Sequence, residues 1–272
     1  MKEFFGFGGY QRAPEGYFSW QHLLFVTALM IVMVSLAVYL GRRNRQKDDV
    51  TKNKVLIWAA ILIDSFEIFK ILIMCIRSQN PMGWIHDLPL FLCSIQLITI
   101  PLAAFSNGRI KEASLDFVFI FGILGAVLGT YLAGNNYGAY PVLSVDNVIS
   151  GITHSISGFA SLYIVISGMQ SMKKKNIPIT FGILSAFCVL AYITNHIIDY
   201  NYMFLMRGDG TPYDILYNLV GGNVVIYPLL VVVLFLLYIF CFYKVFFFVE
   251  SKVAKNSACE AEESAVTEEI AA

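Results

Sequence analysis

Charge is scarce in this chain: 14% of its 272 residues are Asp, Glu, Lys or Arg, against 57% hydrophobic. The mean hydropathy is +0.67. A soluble domain does not reach such values without exposing large apolar patches, so the bilayer is the expected solvent. Metal-ligand and redox spacings are lacking too. The five cysteines, Cys75, Cys93, Cys188, Cys241 and Cys259, form no C-x-x-C, which argues against a disulfide framework or a zinc finger. There is no G-x-G-x-x-G, Walker or H-E-x-x-H pattern, no repeat of constant period, and no Lys/Arg and aromatic patch outside the apolar runs. Nucleotide-binding, metalloprotease and nucleic-acid-binding classes lose their usual signatures. No cofactor is called for by any pattern, and net charge is zero.

Long apolar runs are abundant. Seven can be read, at 18–40, 54–76, 88–106, 114–133, 146–169, 178–202 and 223–248. Each is near the ~20 residues that cross ~30 Å of hydrocarbon at ~1.5 Å per residue. The expected fold is an all-α membrane protein, a bundle of seven transmembrane helices over 18–248. Residues 1–17 are expected to form an extracytoplasmic segment, and the acidic tail 249–272 has too few apolar residues to fold. The first run is too long for a signal-peptide core and is followed by Arg42, Arg43, Arg45 and Lys47, a stop-transfer cluster. Lys52, Arg109, Lys111, Lys173, Lys174, Lys175, Lys252 and Lys255 fall on the same side as that cluster, whereas the other side has Lys2, Arg12, Arg77 and Arg207. The positive-inside rule then puts the N-terminus outside and the C-terminus in the cytoplasm of a multi-pass cell-membrane protein.

Two stripes of small residues mark close helix packing. Gly122, Gly125 and Gly129 lie along the fourth run; Ser150, Gly151, His154, Ser157, Gly158 and Ser161 share one face of the fifth. Packing within the bundle and dimerisation both use such stripes. The face of the fifth run turns His154 inward.

Ionisable groups in hydrocarbon cost several kcal/mol unless paired or hydrated, which makes each a functional candidate. The second run carries Asp64, Glu67 and Lys70, and the sixth carries Asn195, His196, Asp199 and Asn201. Glu67 and Lys70, three apart, can neutralise each other; His196 and Asp199 have the spacing of an oriented imidazole. Counting from the outer ends at ~1.5 Å per residue puts Cys93 about 7 Å deep, His154, His196 and Lys70 about 10 Å, and Glu67 about 15 Å. His22 and His86 lie near the same rim. An outward polar cavity would explain the layer, as would interhelical hydrogen bonds. Cys93 itself reads three ways: a small packing residue, a disulfide partner of Cys75, or a nucleophile, with Gln96 on its helix face able to donate to whatever it attacks.

Three segments, "LPLFLCSIQL" at 88–97, "GITHSISGFASLYIV" at 151–165 and "YNYMFLMRGDGTPYDIL" at 200–216, resemble the YwaF-like membrane-protein family and its transmembrane protein 164 group. The resemblance implies a lipid acyltransferase whose catalytic cysteine and histidine are Cys93 and His154, with membrane phospholipids as substrates. The chain departs from the family pattern at His154-Ser155, where His-Gly is expected, and at 219–230, where "LVGGNVVIYPLL" replaces a Gly-Pro-Trp-Pro-Trp-like segment. The expected mechanism is a thioester acyl-enzyme at Cys93, with Glu67, Lys70, Gln96, His196, Asp199 and Asn201 supporting the site or lining its cavity. Two other readings compete with it. One is a zinc-dependent intramembrane lipid hydrolase using three of His22, His86, His154 and His196, with Asp199 as a further candidate ligand. The other is a transporter or binding protein using the same polar layer.

Overall fold

The computed structural model describes residues 2–170 and 172–271, with side chains described as far as Lys252. Its longer helices are α1 (Trp20–Asn44), α2 (Asp49–Ser78), α3 (Gln96–Phe105), α4 (Gly108–Tyr131), α5 (Val145–Ile166), α6 (Ile177–Ile198) and α7 (Ile226–Ala271). Local sequence starts several of them. Ser19 caps α1 by accepting the His22 N–H, Asp48 caps α2 through Thr51, and Ser144 caps α5 through Asn147; each side-chain oxygen satisfies an N–H that the first turn leaves unpaired.

Burial follows the logic of a membrane helix, apolar all round with only one stripe packed. On α1 the packed stripe is His22, Val26, Met30, Met33, Ala37, Gly41 and Asn44, while Leu24 and Ile31 are more than 60% exposed on the flank that would meet lipid. Five helices, α1, α4, α5, α6 and α7, are long and apolar enough to cross a membrane. The chain is therefore a multi-pass membrane protein. α2 has the length, but Asp64, Glu67 and Lys70 interrupt its apolar stretch.

The run 88–106, expected above as a full span, is only partly helical. α3 has ten residues, ~15 Å at 1.5 Å per residue, about half the hydrocarbon thickness. Before it come a 3-10 turn at Gly83–Asp87 and irregular backbone. Pro89 offers no N–H and disfavours helical geometry at Leu88. Ser94 Oγ closes a local turn by accepting the Phe91 N–H at 3.0 Å and donating to the Phe91 carbonyl at 3.1 Å. Where seven spans were expected, the structure has five helices long and apolar enough to span, one long helix interrupted by charge and one half-length helix. The expected tail, 249–272, falls mostly beyond the described side chains, and Ala272 lies outside the described residues.

α4 and α5 form the centre of the bundle. They touch closely because α4 presents glycine: a Cβ at Gly122 would stand 2.6 Å from the Ser157 carbonyl oxygen and 2.7 Å from Ser161 Cβ. At one end of the bundle, fully buried Asp116 of α4 accepts from the Met172 N–H (2.8 Å), Asn176 Nδ2 (2.9 Å) and Tyr243 Oη (2.9 Å), joining α4 to the α5–α6 connection and to α7. Lys173 and Lys175 pair with Glu112 at the same end.

The opposite end is pinned by Arg77 and Asp146. The guanidinium meets both carboxylate oxygens at 2.7 Å, and Tyr10 Oη donates to Oδ2 at 2.6 Å. This draws the N-terminal segment over the ends of α2 and α5. Burial, with Asp146 alongside, pushes the Tyr10 phenol above its ordinary pKa. Both members of the ion pair are largely buried, so removing one strands the other charge. Arg77→Met and Asp146→Asn should each cost about 3–5 kcal/mol, and the double variant should lose clearly less than the sum. Denaturant unfolding in micelles checks this; strictly additive losses would mean the two groups act independently.

Candidate functional site

The irregular stretch before α3 is held from a distance. Tyr202, fully buried, donates from Oη to the Ile85 carbonyl at 2.5 Å and accepts the Leu88 N–H at 3.2 Å. Its own backbone is clamped by Asn195, which donates to the Tyr202 carbonyl at 3.0 Å and accepts the Tyr202 N–H at 2.6 Å. Phe91 packs edge-on against the Tyr202 ring, with centroids 5.0 Å apart. Irregular backbone at membrane depth requires partners of this kind. They fix the approach to Cys93.

Cys93 is a free thiol, partly accessible, and close enough to the His154 imidazole for each to act electrostatically on the other. α4 supplies the wall against which they meet. A Cβ at Gly125 would lie 3.6 Å from Cys93 Cβ, whereas one at Gly129 would overlap His154 Cδ2 and Nε2. The small-residue stripe of α4 thus makes room within this chain, first for the α5 backbone, then for the cysteine, then for the imidazole. The His154 tautomer follows from its other nitrogen. Nδ1 lies 2.7 Å from the Ser150 carbonyl oxygen, which can only accept, so Nδ1 carries the proton and the neutral ring keeps its lone pair on Nε2.

On α2, Glu67 and Lys70 form an ion pair, and Asp87 approaches the same ammonium at 3.6 Å. Burial holds the Asp87 carboxyl above its ordinary pKa despite the opposing pull of Lys70. Glu67 is within electrostatic range of His154. Gln96, fully buried at the start of α3, accepts from Thr99 Oγ1 at 3.0 Å, and its Nε2 has no partner among the described residues.

The other expected residues sit elsewhere. His196 and Asp199 are exposed at the end of α6. His196 Nδ1 donates to the Tyr192 carbonyl at 2.9 Å, while Asp199 turns into left-handed backbone, φ 51, as the helix ends. The expected imidazole–carboxylate pair is not formed, because the i,i+3 relation is lost when the helix stops between them. Asn201 ties its own loop, donating to the Arg207 carbonyl (2.8 Å) and to Asp209 (2.7 Å). His22 donates from Nε2 to the Thr130 carbonyl (3.0 Å) and accepts the Phe18 N–H on Nδ1 (3.2 Å), a satisfied packing residue. His86 is exposed beside Tyr200. The four histidines do not converge, and among the described residues no group of three or more His, Cys, Asp or Glu could hold a metal ion. Cys75 is free, so the Cys75–Cys93 disulfide is not formed. Among the described residues, a concavity lined by Val34, Ser35, Val38, Tyr39, Arg42 and Arg43 lies on the flank of α1, away from Cys93 and His154.

The contact at Gly129 is open to test by one methyl group. Gly129→Ala should destabilise by about 1–3 kcal/mol through overpacking and slow alkylation of Cys93 by displacing His154. In α6, a Cβ at Gly182 would meet nothing within 4 Å, so Gly182→Ala should instead stabilise by up to ~1 kcal/mol through helix propensity. Thermal unfolding and thiol alkylation rates check both; a neutral Gly129→Ala would refute the contact.

No curated protein and no solved structure matches the chain. Residues 17–246, from just before α1 to well within α7, match the TMEM164 family. That stretch includes Cys93, His154, Ser150, Gly129 and Tyr202. With most of its length inside the match, the chain belongs to the TMEM164 family of integral membrane proteins.

Proposed function

We propose that this protein is a membrane lipid acyltransferase or transacylase that works through a cysteine thioester. The observation that carries the reading is the meeting of Cys93 with a histidine whose Nδ1 proton is committed to the Ser150 carbonyl. The unprotonated Nε2 is then the nitrogen left to serve as a base. His154 removes the thiol proton, and Cys93 Sγ bonds to the carbonyl carbon of a lipid ester. Collapse of the tetrahedral adduct breaks the ester C–O bond, and the departing lipid oxygen takes the proton from His154. The hydroxyl of a second lipid, deprotonated by His154, attacks the thioester; the C–S bond breaks and the thiolate regains its proton. Glu67, in electrostatic range of His154, favours the imidazolium that forms between these steps.

The reading includes an orientation in the cell membrane, with the N-terminus outside, the C-terminus cytoplasmic and the site in the outer half. Cytosolic acyl-CoA does not reach a site so placed, so the acyl donor is a membrane phospholipid. Membrane-impermeant maleimide applied to intact cells should label a cysteine introduced at Gly210 and spare one at Lys174. The reverse pattern would invert the orientation and admit acyl-CoA as donor.

Substitution separates chemistry from packing at the pair. Cys93→Ser is nearly isosteric and should fold while losing the acyl adduct and lipid turnover. His154→Ala should lower turnover by about 10²–10⁴-fold, the usual contribution of a general base. The measurement is transfer of a labelled acyl chain between phospholipids in proteoliposomes, with mass spectrometry to locate the adduct. Wild-type turnover by Cys93→Ser would sink the mechanism and leave the fold intact.

A further inference from the structure

Gln96 is the polar side chain that the fold leaves most conspicuously unspent. It is fully buried, its oxygen is occupied by Thr99, and its amide nitrogen has no partner among the described residues. A buried donor left without an acceptor costs about 1–3 kcal/mol, so its position calls for an explanation. Ser157 Oγ, buried on α5 one turn inward of His154, is likewise unpartnered. These two orphaned groups occupy one level of the bundle: α4 meets Cys93 at Gly125 and Ser157 at Gly122, and Gln96 lies one turn inward of Cys93.

The backbone between Cys93 and Gln96 is wound tightly. The Gln96 N–H bonds to the Cys93 carbonyl at 3.4 Å, and Leu97 bonds to Ser94 at 3.0 Å, both in the i to i+3 pattern. That winding brings side chains i and i+3 to the same edge. The N–H groups of Cys93 and Ser94 make no backbone-to-backbone hydrogen bond among the described residues, and both act electrostatically on the Cys93 thiol. Two backbone donors free of the backbone ladder and, three residues on, an unpaired buried amide therefore stand with the thiol at the start of a helix, whose N-terminal end favours negative charge.

We propose that Gln96 Nε2 and the Cys93 N–H form an oxyanion hole for the acyl group attacked by Cys93. This rests on the cysteine acyl-enzyme reading and adds to it the group that bears the developing charge. As Sγ bonds to the carbonyl carbon, the C=O electron pair moves onto oxygen, and the two N–H donors stabilise that oxyanion. On collapse the C=O re-forms and the leaving oxygen takes the proton held by His154. The same donors serve deacylation, when an acceptor hydroxyl attacks the thioester. Gln96 is a catalytic residue on this account, since its amide touches the reacting oxygen.

The test uses full-length protein in nanodiscs and p-nitrophenyl decanoate, an activated ester that needs no headgroup recognition. Gln96→Met keeps length and volume without the donor. Acylation should fall by about 10²–10³-fold in kcat, the usual effect of losing one oxyanion donor, with KM nearly unchanged. Alkylation of Cys93 by iodoacetamide, a displacement at carbon that develops no oxyanion, should keep its wild-type rate. In the wild type, a 13C-labelled acyl-enzyme should show its carbonyl stretch at lower frequency than a free thioester in the same nanodiscs, a result that does not depend on any variant folding. An unshifted carbonyl, or Gln96→Met acylating within threefold of wild type, overturns the oxyanion role while leaving Cys93 as nucleophile. Failure of the wild type to form any adduct at Cys93 removes the cysteine reading itself, and the oxyanion hole with it.

Discussion

The hydroxyl of Tyr202 holds together the irregular stretch that carries Cys93 into α3. A polypeptide in hydrocarbon finds no water for its backbone, so a segment can depart from the helix only where protein supplies the missing partners. Tyr202 supplies two of them, at Ile85 and Leu88, and is itself held by Asn195. Released from helical geometry, the chain turns through Ser94 and re-enters a helix at Gln96. A continuous helix over 88–106 would have tied the N–H groups of Cys93 and Ser94 to carbonyls one turn back. The break frees them and sets the thiol against α4.

Electrostatics at this end of the bundle divides between two cations. Arg77 is satisfied by one carboxylate and one phenol and works as a pin. Lys70 is shared between Glu67 and Asp87, and Glu67 is also in electrostatic range of the His154 imidazole. A carboxylate at that range favours the protonated form of an imidazole. Removal of the lysine would leave buried carboxylates repelling each other, a cost in stability before any cost in chemistry.

Much of this was legible in the sequence, and the remainder was hidden for identifiable reasons. Long apolar runs disclose helices because a membrane span must be greasy on every side, and α1, α4, α5, α6 and α7 fall where hydropathy put them. Depth counted from the helix ends placed Cys93 and His154 at similar levels, and the stripe from Ser150 to Ser161 turned His154 inward. Composition could not disclose the break before α3, because 88–95 is as apolar as a span and its partner, Tyr202, is more than a hundred residues away. His196 and Asp199 misled because i,i+3 spacing implies contact only while the helix lasts. Arg77 entered the sequence reading only as one of the few basic residues of the outer side, and Asp146 only as the first residue of the fifth run; their pairing depends on which helix ends meet, and no local pattern reports that. Gly129 carried a usable signal, since a small residue aligned with an inward histidine on the neighbouring helix marks room for a ring.

The Asp116 network sets an order on the assembly of this protein in the cell. Its carboxylate enters the bilayer on α4, and its partners follow on later parts of the chain, Met172 and Asn176 first and Tyr243 last, 127 residues after the aspartate. At roughly 5–20 residues per second of synthesis, the last partner emerges on the order of ten seconds later. Through that interval a bare carboxylate in hydrocarbon would be costly, so the nascent chain must keep Asp116 protonated, near the headgroups, or sheltered at the insertion machinery until α6 and α7 arrive. The lock that closes one end of the finished bundle is thus a timing constraint on its biogenesis, since the Asn176 and Tyr243 donors reach the carboxylate only once α6 and α7 have been made.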